Sequence, residues 1–260
     1  MDSTTQTLTT LIILVALVVS VIVTQFIRRR KESFPLRVLR AYDAIPLFVG
    51  EAIEAGRPVH VSFGSAGLGG TNTALTLASA ELFYQVALRA TAGSSILTLS
   101  DPSALPLGTG ALYRAYALRP DRLSGSSVRW YPAGDRSMAF AAALTGLMGD
   151  DQVSSDILVG SYGPELALIL EAAARRRQST IAGSVDLAGQ AVAYAMADRW
   201  LIGEEMFVAG AYLGDSPAQR ASVVTLDVLR WLLIVGILVA TGNAIREPVT
   251  TALNHLLGGK

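Results

Sequence analysis

Two long apolar runs frame the chain. Leu8 to Ile27 holds twenty residues without a charge, dominated by Leu, Val and Ile. As a helix, such a run reaches about 30 Å, the thickness of a hydrocarbon core. Asp2 is the only charge before it, and Arg28, Arg29, Arg30 and Lys31 follow at once. A cleaved signal peptide has the opposite order, with basic residues first and a small-residue cleavage site after. The run therefore reads as an anchor. Because basic flanks stay in the cytoplasm, its N-terminus is expected outside and the following residues inside. The second run, Thr225 to Ile245, has a shorter apolar centre, Trp231 to Ala240, with Asp227 and Arg230 near one end. It reads either as a second span with snorkelling ends or as a buried soluble helix.

Between these runs the pattern changes to short β-type segments alternating with helical stretches. Strands are expected at Val59–Phe63, Ile96–Leu99, Val128–Tyr131, Ile157–Val159, Thr180–Ala182 and Trp200–Ile202. Helices are expected near Thr73–Ala92, Gly110–Leu118, Arg136–Met148, from Pro164 onward, over Leu187–Ala197 and over Glu204–Tyr212. Continuous apolar strands separated by helices indicate a parallel sheet covered on both faces. The expected fold is therefore α/β, a Rossmann-like three-layer parallel sheet domain flanked by N- and C-terminal transmembrane helices, with its strand order open. Residues 1–31 are the anchor and its basic flank, and 32–58 a connecting region with a helix near Tyr42–Ala55. Residues 59–214 form the α/β domain, 215–247 the second membrane helix, and 248–260 a short tail.

Composition supports the membrane reading: 51% of residues are hydrophobic and only 16% charged, too apolar for an ordinary soluble domain. The 21 basic and 21 acidic residues balance, which argues against a nucleic-acid binder. Without cysteine there is no disulfide, thiolate metal site or cysteine nucleophile. His60 and His255 are the only histidines, too few for a poly-His metal site in one chain. His60, inside a strand, reads as a buried structural histidine. No residue pattern specifies a cofactor.

In a doubly wound sheet, ligands bind beyond the carboxyl ends of the strands. Here those ends are rich in Gly and Ser: Gly64-Ser65-Ala66-Gly67 running on to Gly69-Gly70, Ser100-Asp101, Gly160-Ser161, Gly183-Ser184 and Gly203-Glu204. Such residues admit close backbone approach, and helix N-termini favour anions. They equally make short turns and cap helices. Gly64 to Gly70 spells GxxGxGG, and neither the dinucleotide GxGxxG, a P-loop GK[ST] nor a GxSxG elbow is present. Asp101, Asp135, Asp186, Glu204 and Glu205 fall near this edge, but no nucleophile stands beside a base. Their commoner use is capping. The candidate ligand contacts are thus Gly64, Ser65, Gly67, Gly69, Gly70, Asp101, Gly160, Ser161, Gly183, Ser184, Gly203 and Glu204. If these are ligand contacts, Gly67→Val or Gly160→Val is expected to abolish binding while the fold survives; loss of folding would favour a structural role.

The phrases HVSFGSAGLGG (60–70), ILVGSYGPELALILEAAARR (157–176), IAGSVD (181–186) and WLIGEEMFVAGAYLG (200–214) together resemble an uncharacterised family of bacterial membrane proteins, a domain of unknown function found in Chloroflexi-type genomes. The resemblance covers about residues 35–242. It implies the architecture and a bacterial plasma-membrane location, and it carries no activity or functional residues. The resulting expectation is a non-catalytic, membrane-anchored structural or assembly subunit. Its partners would be the bilayer, copies of itself or other membrane-complex subunits, and no nucleic acid. The alternative is a tethered sensor of a nucleotide or other small anion at the Gly/Ser-rich edge.

Overall fold

A computed structural model describes residues 3–30, 37–123, 126–132 and 137–214, with scattered positions from 219 to 241. The expected turn at Ala133-Gly134-Asp135, the basic Lys31, and the tail 248–260 lie outside the described residues, as does much of Thr225–Ile245. The chain divides into two compact units: Met1–Phe34 with Ser216–Lys260, and Pro35–Asp215.

The first unit contains helix α1, Ser3–Arg30, of 28 residues. Its described apolar side chains, such as Leu11, Leu17 and Ile22, are about 60% exposed. Seven side chains within Leu8–Ile27 lie outside the description. Among the described residues no helix is long and apolar enough to cross a membrane.

The second unit is the α/β fold. Its elements run α2 (Arg40–Ala55), β1 (Val59–Gly64), α3 (Thr73–Arg89), β2 (Ser95–Leu99), α4 (Leu105–Ala115), β3 (Ser127–Trp130) and α5 (Ser137–Asp150). They continue with β4 (Ser155–Ser161), α6 (Leu166–Arg175), β5 (Ser179–Ser184), α7 (Leu187–Met196), β6 (Arg199–Leu201) and α8 (Ala209–Leu213). Six strands pair in parallel in the order β3-β2-β1-β4-β5-β6. This is the doubly wound order. It supplies the permutation that alternation alone leaves open.

Side chains alternate across the sheet. Val59, Val61 and Phe63 face the layer of α2, α3, α4 and α8, where Phe63 meets Phe83 edge-on at 6.5 Å. The opposite face carries Leu158, Tyr162 and Ala182, which pack with Phe140, Leu144 and Met148 of α5 and Leu166, Ile169 and Leu170 of α6. The architecture is therefore three-layered and Rossmann-like. The two central strands, β1 and β4, are buried along almost their whole length, which is why they read as unbroken apolar runs.

Two elements differ from the sequence expectation. The helix placed at Gly110–Leu118 begins at Leu105 instead. Gly108 and Gly110 suggest a loop, yet Gly108 lies inside the helix, where an added Cβ would sit 2.5 Å from Leu97 Cδ2. That glycine lets α4 lie close on the sheet. The helix placed at Glu204–Tyr212 is a 3-10 turn, Gly203–Phe207, followed by the short α8.

Candidate functional site

The sheet's switch point lies between β1 and β4, whose following helices α3 and α6 lie on opposite faces. In this fold a ligand crevice opens there. The two strand ends are laced together. Ser65 N donates to Ser161 O at 2.9 Å, and Ser65 Oγ donates to the same oxygen at 3.1 Å and to Ser161 Oγ at 3.2 Å. Register shifts between Ser62 and Gly64, so the strand end bulges toward its neighbour.

The expected glycine contacts divide into two groups. A Cβ on Gly160 would lie 2.0 Å from Phe63 O, one on Gly64 2.3 Å from Ser161 O, and one on Gly183 2.7 Å from Leu201 O. Gly64 also has φ +59°. A Cβ on Gly67 would lie 2.1 Å from Asp101 Oδ2. These four positions are glycine because the chain packs against itself there. Gly160→Val, which meets backbone, is therefore expected to disturb the fold, whereas at Gly67 an added side chain meets the Asp101 carboxyl group. Gly69, Gly70 and Gly203 face open space. Gly69 and Gly203 have positive φ (+92° and +61°), which accounts for them by backbone conformation. Gly70 has neither constraint.

The polar candidates are largely engaged within the chain. Ser184, fully buried, donates through Oγ to Tyr162 O at 2.7 Å and accepts from Tyr162 N and Asp186 N. Asp101 Oδ1 accepts from Ser103 N at 2.8 Å and Ser103 Oγ at 2.6 Å, and Ser103 Oγ in turn accepts from Leu68 N. Asp186 caps α7 through Ala188 N at 2.8 Å. Glu165 accepts from Gly163 N at 2.8 Å just before α6, and Glu205 from Ile202 N at 3.2 Å. Glu204 is exposed beside it. Each carboxylate sits where a helix start presents N–H groups and positive dipole. The start of α3 differs: Asn72 makes no side-chain cap bond, and the first turn holds no acid. The structure thus brings Gly64, Ser65, Gly67, Gly160, Ser161 and Asp101 together at one end of the β1–β4 seam. Gly183 and Ser184 follow on β5, and Gly203 and Glu204 stand beyond β6.

Beneath this edge lies a buried polar chain. His60 Nδ1 is 2.7 Å from Asp156 Oδ1, and His60 Nε2 is 2.8 Å from Thr98 Oγ1, with all three residues fully buried. The chain runs across β4, β1 and β2, since His60 and Asp156 are register partners. His60 is therefore the buried, hydrogen-bonded histidine its strand position predicts. Its partners Thr98 and Asp156 were not foreseeable as such. The one available signal was an aspartate directly before the apolar run Ile157–Val159. Among the described residues no group of three or more His, Asp or Glu side chains could hold a metal.

Tyr162 is fully buried, with its ring against Gly64 and its hydroxyl near Ser62 but without a partner at hydrogen-bond geometry. Burial pushes its pKa far above the usual tyrosine value, and the same holds for Tyr42. Phenolate is disfavoured in the fold, so native protein holds more protons than unfolded protein above the ordinary tyrosine pKa of about 10. This contribution to stability is complete below that pH and is lost as pH climbs toward the raised folded values. Absorbance titration at 295 nm should show Tyr42 and Tyr162 ionising only together with the loss of far-UV circular dichroism. Tyr162→Phe should remove one group from that step.

Residues 3–254 match the model of a domain of unknown function (DUF6754). The chain belongs to the DUF6754 family. Neither a curated protein nor a solved structure matched significantly. The match spans both the framing runs and the α/β unit.

In this DUF6754 chain the two cavities described both lie away from the Gly/Ser-rich edge. One, of about 270 Å³, is bounded by Arg37–Ala41, Asp198–Leu201 and Glu205. The other, of about 480 Å³, lies by Arg177–Thr180, Met196 and Arg199. Both sit beside the edge strand β6. Here the two ends of the α/β unit meet. Tyr212 Oη donates to Arg37 O at 2.6 Å and its ring stacks on Tyr42 at 5.4 Å. Tyr42 Oη donates to Glu205 O at 2.6 Å, and Arg37 pairs with Glu205 at 3.4 Å. Arg89 donates to Leu213 O, closing the same corner. The sequence carried no sign of this cluster, because its members come from positions 37–42, 89 and 205–213.

Proposed function

We propose that the chain is a two-pass membrane protein whose α/β unit is cytoplasmic and acts as a structural or assembly subunit, without catalysis, probing its surroundings through surfaces rather than a reactive centre. The observation that carries the anchoring is the junction of Arg37 with Tyr212, which makes the chain enter and leave the α/β unit at one corner. Ends that meet at one corner suit a unit held by membrane helices at both ends, although domain termini often lie close together. The uncharged run Leu8–Ile27 and the basic block after it support the first span and an outside N-terminus. Thr225–Ile245 supplies the second. Engagement of Asp101, Glu165, Asp186 and Glu205 as caps speaks for a binding role over acid–base chemistry.

Assembly is supported by α7. No charged residue occurs from Leu187 to Ala197, yet only Gly189 and Ala193 are buried in the helix. Leu187 is 80% and Tyr194 61% exposed. An apolar surface of this kind marks a contact with another protein. Native mass spectrometry of protein released gently from its membrane should report an oligomer or a complex. Leu187→Glu with Tyr194→Glu should shift it toward the single chain and leave far-UV circular dichroism unchanged. A wild-type monomer across a concentration series would sink the assembly reading.

A second reading has its own support: an anion such as a nucleotide phosphate held at the start of α3. That helix start carries no acid of its own, and it opens directly from Gly69-Gly70, which face open space. The discriminating variant is Gly70→Val.

A further inference from the structure

We propose that the corner of the α/β unit formed by Arg37, Val38, Arg40 and Arg199 is a docking surface for anionic lipid headgroups, which holds the unit against the bilayer that anchors it. This rests on the membrane anchoring proposed above. Arg37, Arg40 and Arg199 are all exposed around one cavity of about 270 Å³. Two acids share its lining. Asp198 accepts from Thr180 N at 2.8 Å and Thr180 Oγ1 at 3.1 Å. Glu205 holds Ile202 N and one arginine, Arg37. Three arginines against two carboxylates leave the lining one positive charge, with Arg40 and Arg199 outside the Arg37–Glu205 pair.

An apolar group stands beside these arginines, and an indole follows Arg199 on the other face of β6, edge-on to Tyr194 at 4.9 Å. Val38 is 75% exposed and Trp200 43%. Arginine beside an exposed aliphatic group is the composition of a surface that rests at headgroup level. Chain length supplies the proximity. Seven residues lead from Arg30, where α1 ends, to Arg37, a path that reaches at most about 25 Å. The hydrogen bond from Tyr212 to Arg37 O brings the second exit to the same corner. On the anchoring proposed above, a path of this length leaves the patch within reach of headgroups whose negative potential attracts arginine.

The test uses the full chain in proteoliposomes. Since the protein has no cysteine, Val38→Cys provides a single site for a nitroxide, and Leu118→Cys a control. Leu118 is 95% exposed and follows α4, beside β3 at the far edge of the sheet. Vesicles of phosphatidylcholine alone are compared with vesicles containing added phosphatidylglycerol, reading collision with a water-soluble nickel relaxant. Accessibility at position 38 should fall several-fold in the anionic vesicles and recover in high salt, and position 118 should not respond. Arg199→Gln should weaken the effect by about fivefold, the contribution of one arginine near an anionic surface. The salt response needs no variant, so a misfolded mutant does not cloud the result. Equal accessibility of position 38 in both lipids overturns the proposal, as does an equal fall at both positions. Spin–spin broadening at position 38 in place of lipid dependence would assign the corner to a second copy of the chain and likewise overturn it. Alkaline carbonate extraction separates the two levels. Protein stripped from the membrane refutes the anchoring and the docking together, whereas retained protein with an unresponsive position 38 refutes the docking alone.

Discussion

Asp156→Leu is expected to cost about 4 kcal/mol of stability, because it strands a buried imidazole at the centre of the sheet. His60 lies wholly inside the fold, with Nδ1 2.7 Å from Asp156 and Nε2 2.8 Å from Thr98. Removing the carboxylate leaves one ring nitrogen without partner or water. The double variant His60→Leu, Asp156→Leu should recover much of the loss. Two apolar side chains of similar bulk need no hydrogen bonds, and replacing a buried pair whole is often close to neutral. Urea unfolding followed by far-UV circular dichroism measures both, read as a shift in midpoint at constant slope. A cost below about 1 kcal/mol for Asp156→Leu alone would show that the pair does not bear on stability. A double variant as unstable as the single would show that the polar chain specifies the packing between β1 and β4.

This pair also marks how far the sequence could be read. The six strands were legible because both faces of the sheet are covered, so β1, β4 and β5 are near-continuous apolar runs. Polar residues inside them, His60, Thr98 and Asp156, become informative only once register places them side by side, and register between strands ninety residues apart has no local signature. The strand order was illegible for the same reason. The glycine-rich strand ends were legible as a group, but their meaning was not. Whether a glycine answers to a ligand or to the neighbouring backbone depends on what lies opposite it. For Gly160 that is Phe63 O, and for Gly67 it is Asp101. The expected start of α4 at Gly110 fell five residues late, because Gly108 and Gly110 carry no helix signal of their own, whereas Gly108 lies where the helix presses on Leu97. The basic corner at Arg37 was invisible because it gathers both ends of the unit.

Gly160→Val and Gly70→Val should behave in opposite ways. At Gly160 the first added atom would lie 2.0 Å from Phe63 O, a backbone atom of the paired strand that cannot move without breaking the central ladder. The loss should reach about 3 kcal/mol or more, enough to leave little folded protein. At Gly70 nothing lies within 4 Å of the added atom, and φ is not positive there. The cost should stay within about 0.5 kcal/mol, the range of ordinary surface changes. Thermal unfolding of the two variants tests this directly, and equal losses would mean that the crevice is not packed as described. The same Gly70 variant decides the anion reading. Valine there would stand in front of the open helix start of α3 while leaving the strands untouched. If inorganic phosphate or a nucleoside triphosphate raises the unfolding midpoint of the wild type, and Gly70→Val loses that rise but keeps its own midpoint, the crevice is a ligand site. If both proteins respond alike, the anion binds elsewhere and the glycine at position 70 makes a turn and nothing more.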